Sequence, residues 1–271
     1  MTIRATIVLL SHRAKLLPGA LDSVFAQTEQ RFQIIVQHCK ENWNTKFNEA
    51  ASIAKGDYLV PLCDDDLLAP TFLARCLEHA EGDGRSPADM IYTNRYCFSD
   101  YPRAWRKPKT WFQSRKPERG VHVEQLGPHF SLAKAGPKGY YTTQFPPDFF
   151  QVGATLPMTC CIRRGFWEQQ GGYDPEMPHA DTEFWARASF VGARFHFVPR
   201  ALFYYRMHPG QYSHEYASLI PALSAMHRKH FRRWGMLFDL AQPTNDRKDN
   251  YIVPVIPEPE REAFMAEVYS E

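Results

Sequence analysis

The chain opens its hydrophobic pattern with Ala5-Thr6-Ile7-Val8-Leu9-Leu10, an unbroken run of strand length, as expected of a strand buried on both faces. Leu17, Ala20, Leu21, Val24 and Phe25 then recur at helical spacing, with Pro18 placed where a first helical turn tolerates it. Phe32 to Val36 predicts a second strand, and Phe47, Ala50, Ala51 and Ala54 a second helical face closed by Gly56. Tyr58-Leu59-Val60-Pro61-Leu62 predicts a third strand, in which Pro61 gives up one ladder donor. Pro70 opens a helix bearing Phe72, Leu73, Cys76 and Leu77, and Asp89-Met90-Ile91-Tyr92 predicts a fourth strand. Alternation of this kind implies an α/β fold, a mostly parallel sheet flanked by helices in the Rossmann-like manner. Ligands of such sheets sit beyond the carboxyl ends of the strands.

The pattern breaks between residues 98 and 155 into proline, glycine, aromatic and basic residues, too long a stretch for a plain connection and therefore a functional insertion. Order returns at Gly171, Phe195-His196-Phe197-Val198 predicts another strand, and Leu219 to Trp234 has a basic helical pattern. Residues 254–271 form a Pro- and Glu-rich tail. No internal repeat is visible.

Composition changes this picture little. Hydrophobic residues at 44% and charged residues at 23% are ordinary for a globular chain with a sizeable core. Six cysteines without repeating spacing, two of them adjacent at Cys160-Cys161, do not make a disulfide framework, so free thiols in a reducing cytoplasm are expected. The first apolar run is too short for a signal peptide and far too short to cross a bilayer, and no later stretch reaches membrane length. A cytoplasmic protein without a membrane span is the expectation.

Charge matters through its placement. Between Tyr101 and Arg119 lie seven basic residues (Arg103, Arg106, Lys107, Lys109, Arg115, Lys116 and Arg119) against Glu118 alone. That segment carries +6 while the whole chain carries +2, which leaves −4 for the remainder. Tyr101, Trp105, Trp111 and Phe112 are interleaved with the charges and offer flat faces to sugar rings or bases. A solvated basic loop has the same composition; the functional reading is an anionic acceptor, either a phosphate-bearing glycan or polysaccharide, an anionic lipid headgroup, or DNA with a hydroxylated base.

Asp64-Asp65-Asp66 follows the third strand directly and so sets three carboxylates at its carboxyl end. Adjacent carboxylates repel, and a cation relieves the cost. Oxygen donors suit Mg²⁺ or Mn²⁺, which also bridge phosphate oxygens, whereas an acidic turn before the Pro70 helix is the plain structural alternative.

Three segments in order, TIVLLSHRAKLLPGALDSVFAQT from Thr6, KFNEAASIAKGDYLVPLCDDDLLAP from Lys46 and GGYDPEMPHADTEFWARASFVGARFHFVPRALFYYRMHPGQYS from Gly171, resemble glycosyltransferase family 2. The resemblance covers roughly residues 5–95 and 155–213, about half the chain. It implies a glycosyltransferase A-type fold, an inverting transfer from a nucleotide-diphosphate sugar to a hydroxyl, and Mn²⁺ or Mg²⁺ at the acidic motif. It divides the chain into a catalytic domain, 1–213, and a C-terminal helical extension and tail, 214–271. Within the first, 1–95 would bind the nucleotide sugar, 98–155 would face the acceptor, and 156–213 would carry the base.

By the same resemblance Ser11, His12, Arg13, Lys46, Asn48, Asp64 and Arg206 are expected to hold the nucleotide sugar. Asp65, Asp66 and His208 are the expected metal ligands, and Asp181 the general base. The family usually places aspartates after its second strand, where this chain has His38 and Cys39; Cys63 replaces an acid before the metal motif, and Ala180 replaces the Glu of a Glu-Asp pair, with Glu183 nearby. The expectation therefore stops short of uracil as the donor base. The same departures leave a non-catalytic sugar-nucleotide-binding relative as one alternative, and transfer to hydroxylated DNA bases or nucleotidyl transfer on the same kind of sheet as others.

Overall fold

The computed structural model describes residues 2–80, 87–98, 121–124, 133–135, 140–143, 158–177, 179–206, 208 and 229. The Tyr101–Arg119 basic segment, the Leu219–Trp234 pattern apart from Lys229, and the tail fall outside the described residues.

The elements run β1 (Ala5–Ser11), α1 (Leu17–Phe25), β2 (Phe32–His38), α2 (Trp43–Ser52), β3 (Tyr58–Cys63), β4 (Leu67–Leu68), α3 (Phe72–Glu78) and β5 (Met90–Phe98). Short strands β6 (Val121–Glu124), β7 (Ala133–Ala135) and β8 (Tyr140–Thr143) follow, then β9 (Cys161–Arg163), α4 (Arg164–Gln169), α5 (Ala180–Phe190) and β10 (Phe195–Arg206).

Among the described residues these ten strands form one sheet in the order β2-β1-β3-β9-β5-β10-β8-β7, with β4 on β10 and β6 on β5. The first three strands are parallel, as the strand–helix alternation predicts, and β5 and β10 are parallel to each other. Short strands β9, β4, β6, β7 and β8 add antiparallel pairings, so the sheet as a whole is mixed.

The unbroken apolar run of β1 is explained by two cores. Val8 and Leu10 pack with Phe47, Ala50, Trp167 and Phe184 on one face, while Ala5, Ile7 and Leu9 pack with Val24, Phe72 and Leu73 on the other. Successive side chains of a strand point to opposite faces, so a strand covered on both sides must be apolar throughout.

Pro61 sits in β3 without breaking it. Tyr58 and Asp64 donate their N–H groups toward β1, to Arg4 O and Leu10 O, so the odd-numbered positions face β9. On β3, β9 pairs with Tyr58 and Leu59, and it has ended before Pro61 would owe it a donor. Gly56 lets β3 begin against β1, because a Cβ there would lie 2.3 Å from the carbonyl carbon of Ala5.

Candidate functional site

The carboxyl ends of β1 and β3 are tied together by one buried carboxylate. Asp64, fully buried, accepts at Oδ2 from the Ser11 hydroxyl (3.1 Å) and from the backbone N–H groups of His12 (2.8 Å) and Arg13 (2.6 Å). This fixes the path of the Ser11–Arg13 loop over the strand ends. The expected nucleotide loop and the acidic triplet are thus one unit, and Asp64 builds it from within.

Asp66 does the same for β10. Its Oδ1 accepts from the Arg206 N–H at 3.0 Å, and the Arg206 Nε donates to the Asp65 carbonyl at 2.8 Å. Burial, followed by the neighbouring Asp65, raises the Asp66 carboxyl well above its ordinary range. Asp66 thereby acts as a brace at the end of β10, and that brace carries His208, two residues on, to the triplet.

The third carboxylate faces the site. Asp65 Oδ2 lies 2.8 Å from Arg13 Nη1 and 3.0 Å from His208 Nε2, and Arg13 Nη1 lies 2.7 Å from His208 Nε2. Arg13 Nε also pairs with Asp64 Oδ1 at 3.1 Å. A guanidinium nitrogen can only donate. The arginine–histidine contact needs a lone pair on Nε2 and the aspartate–histidine contact a proton there, so the tautomer decides which forms; in either case Asp65 Oδ2, His208 Nε2 and Arg13 Nη1 meet within 3.0 Å of one another.

This arrangement suits a divalent cation in part. Octahedral Mg²⁺ holds its ligands at about 2.1 Å, which places adjacent ligand atoms about 3 Å apart, as the Asp65 Oδ2 and His208 Nε2 atoms are. Among the described residues no group of three or more His, Cys, Asp or Glu side chains converges to hold a metal. A metal here would take two protein ligands and draw the others from phosphate oxygens and water, a common arrangement for phosphate-bridging Mg²⁺.

Asp181 lies in the first turn of α5, and its charge adds to the burial that raises the Cys160 thiol and the Tyr173 hydroxyl. Desolvation raises the Asp181 carboxyl above its ordinary value, against the opposing pull of His179 and of N–H and hydroxyl donors from Thr182 and Asp181 itself.

What holds α5 there is a buried pair that motif reading missed. Glu183 and Arg187 form two parallel hydrogen bonds of 2.8 Å each, and Arg187 Nη2 donates to Gly172 O at 2.7 Å, with Nη1 donating to Gln170 O. The i,i+4 spacing of an acid and an arginine on a helix was the available signal, but only burial shows that the pair anchors a loop.

Asn48 clamps the same loop from α2. Its Nδ2 donates to Tyr173 O at 2.7 Å and its Oδ1 accepts from Tyr173 N at 3.0 Å, while Asn44 Nδ2 donates to Asp174 O and Pro175 O. Lys46 pairs with Glu49 in solvent. The structure therefore brings together Ser11, Arg13, Asp64, Asp65, Asp66, Arg206 and His208. It leaves His12 contributing its backbone, Lys46 at the surface and Asn48 engaged with the Gly-Gly loop.

With this geometry in view, residues 24–136 match the family model described as Glycosyl transferase family 2, a span that includes β2, α2, β3 and the acidic triplet. Over that span the chain is similar to glycosyltransferase family 2. No curated protein matches the chain. Among solved structures it is similar to residues 1–349 of S. aureus TarS in complex with UDP, at 12% identity and a TM-score of 0.50, covering 84% of this chain and 72% of that one. It is similar to the mannosyltransferase PcManGT from Pyrobaculum calidifontis in complex with GDP-Man and Mn²⁺, at 13% identity, TM-score 0.53, covering 84% of this chain and 64% of that one. GalNAc-T7 with UDP, GalNAc and Mn²⁺ is similar at 13% identity, TM-score 0.56, over 86% of this chain and 49% of that one. At these identities the likeness establishes the fold, the glycosyltransferase A-type arrangement expected from the motifs. Among the described residues no helix is long and apolar enough to cross a membrane.

Proposed function

We propose that this chain transfers a sugar from a nucleotide-diphosphate sugar to an acceptor hydroxyl with inversion, using Asp181 as general base and a divalent cation at Asp65 and His208. The observation that carries the reading is the meeting of Asp65 Oδ2, His208 Nε2 and Arg13 Nη1 within 3.0 Å of one another beyond the ends of β1, β3 and β10. Neighbours of the same fold bind UDP, or GDP-Man with Mn²⁺, which supports a nucleotide sugar and Mn²⁺ or Mg²⁺ as the components here.

When bound, the cation would neutralise charge on the departing diphosphate. Arg206, with its backbone braced by Asp66 and its Nε bound to the Asp65 carbonyl, would add a second positive charge beside the same oxygens. Asp181 would take the proton of the acceptor hydroxyl as its oxygen attacks the anomeric carbon. Its desolvated carboxylate is a stronger base than an exposed one, since burial raises its proton affinity.

The acceptor we propose is anionic, on the +6 charge of residues 101–119, with a glycan ahead of nucleic acid. Oligonucleotide binding across a salt series tests that order, because a nucleic-acid acceptor requires affinity that falls steeply with salt.

The test of the chemistry is Asp181→Asn. Turnover is expected to fall by roughly 10²–10⁴, the usual contribution of a general base, while UDP or GDP affinity stays at the wild-type level. Turnover within about threefold of wild type removes Asp181 from the role. Release of pyrophosphate rather than a nucleoside diphosphate would turn the reading to nucleotidyl transfer, and no metal-dependent release from any donor would turn it to a binding module.

A further inference from the structure

We infer that Arg13 is a resident counter-ion of the Asp65–His208 pair, which a divalent cation must displace, so that metal and nucleotide diphosphate load together. The inference rests on the proposed metal site, and adds to it a competitor supplied by the chain itself.

Arg13 is held in place from two directions. Its backbone N–H is fixed by Asp64 Oδ2 at 2.6 Å, and its side chain lies across the carboxylates, with Nε 3.1 Å from Asp64 Oδ1 and Nη1 2.8 Å from Asp65 Oδ2. The same Nη1 lies 2.7 Å from His208 Nε2. One nitrogen therefore sits within 2.8 Å of both atoms that a metal would take. A cation bound to those two atoms leaves no room for Nη1 within hydrogen-bond distance of either.

The guanidinium side chain is 29% exposed, so it has a solvent side toward which to move. Moving it alone costs its ion pairs with two buried carboxylates, Asp64 and Asp65. A diphosphate restores them, because a guanidinium matches phosphate oxygens in geometry and charge. Metal and nucleotide are then coupled: each raises the affinity for the other, and by reciprocity by the same factor. Direct phosphate–metal bonds give coupling of their own, so the part due to Arg13 is what a variant must expose.

The experiment is a Mn²⁺ titration followed by electron paramagnetic resonance of the free ion, on wild type, Arg13→Met, Asp65→Asn and the double variant, with and without UDP or GDP. Arg13→Met keeps the length of the side chain and the backbone N–H that Asp64 holds, and its circular dichroism and melting temperature verify the fold. Without nucleotide, Arg13→Met is expected to bind Mn²⁺ at least about tenfold more tightly than wild type, since a neighbouring positive charge has been removed. Adding UDP or GDP is expected to increase Mn²⁺ affinity less in Arg13→Met than in wild type. Both effects are expected to vanish in the Asp65→Asn background.

Equal or weaker Mn²⁺ affinity in a folded Arg13→Met, or nucleotide coupling undiminished by the substitution, overturns the displacement. Tighter binding that survives in Arg13→Met/Asp65→Asn overturns it too, since the ion is then elsewhere. The metal reading fails separately if wild type and Asp65→Asn take up Mn²⁺ equally in the presence of UDP and of GDP.

Discussion

Replacing Asn48 by alanine separates a structural duty from a nucleotide-binding one. The Asn48 carboxamide makes two hydrogen bonds to the backbone of Tyr173, of 2.7 and 3.0 Å, and Tyr173 itself is fully buried among Phe47, Trp167 and Phe184. A net hydrogen bond contributes about 1 kcal/mol, and a buried backbone group left without a partner costs about 1–3 kcal/mol. Water entering the gap left by the carboxamide recovers part of that, so the expected loss is about 2–4 kcal/mol. For a chain of this size that corresponds to a melting temperature lower by roughly 5–15 °C. Urea denaturation followed by tryptophan fluorescence reads the loss, since Trp167 lies 4.5 Å from the Tyr173 ring, centroid to centroid. Nucleotide affinity, measured by calorimetry on protein still folded at low temperature, is expected to hold within about threefold. A variant with wild-type stability that has lost nucleotide affinity refutes the clamp and restores Asn48 to the donor site.

Gly172→Ala is expected to cost about 2–4 kcal/mol by the same denaturation assay, because its φ of +74° is strained for alanine and the new Cβ would lie 2.8 Å from Asn48 Oδ1. Asp66→Asn keeps the acceptor for the Arg206 N–H, so Mn²⁺ affinity is expected to stay within about threefold; a loss equal to that of Asp65→Asn would make Asp66 a ligand. Asp181 has a raised carboxyl in the folded chain, with burial as the main cause and His179 opposing it, near Cys160 and Tyr173. Its stabilising effect is therefore full below the unfolded aspartate value and is lost as pH rises through the folded one. Asp181→Asn should consequently melt higher relative to wild type at neutral pH than at pH 4, while the acid limb of wild-type turnover lies above the ordinary aspartate range. An Asn variant less stable than wild type at neutral pH refutes the desolvation account.

The strands and helices that frame the site were legible because burial on both faces leaves a simple mark. Val8 and Leu10 enter one core and Ile7 and Leu9 the other, so β1 reads as an unbroken apolar run. The antiparallel additions were not legible. β9 is three residues long, β4 only two, and periodicity needs more length than that to register. Residues 195–206 show the same limit differently: the sequence predicted a strand over Phe195–Val198, while β10 continues to Arg206 across the irregular register at Val198, Ala201 and Phe203. The continuation matters most for function, since it delivers Arg206 and His208 to the acidic triplet.

The triplet shows why residue type and spacing reach only part of a site. Three consecutive aspartates look equivalent in sequence, yet the fold gives them different partners. Asp64 turns inward to the N–H groups of His12 and Arg13, Asp66 to the N–H of Arg206, and Asp65 alone presents an oxygen to both Arg13 and His208. Successive residues in a tight turn point in different directions, so at most one of three neighbours can easily face a shared ligand while the others satisfy the chain. Buried carboxylates without such partners would be costly at each position. The two inward aspartates thus stabilise the backbone that aims the third, and the proposed metal site depends on each of the three for a different reason. Mn²⁺ affinity with Asn and Ala at each position separates these reasons: Asn should largely preserve function at Asp66, where one acceptor oxygen suffices. It should preserve less at Asp64, where Oδ2 serves three donors and Oδ1 pairs with Arg13. At Asp65 it should preserve least, because there the charge itself is what a cation requires.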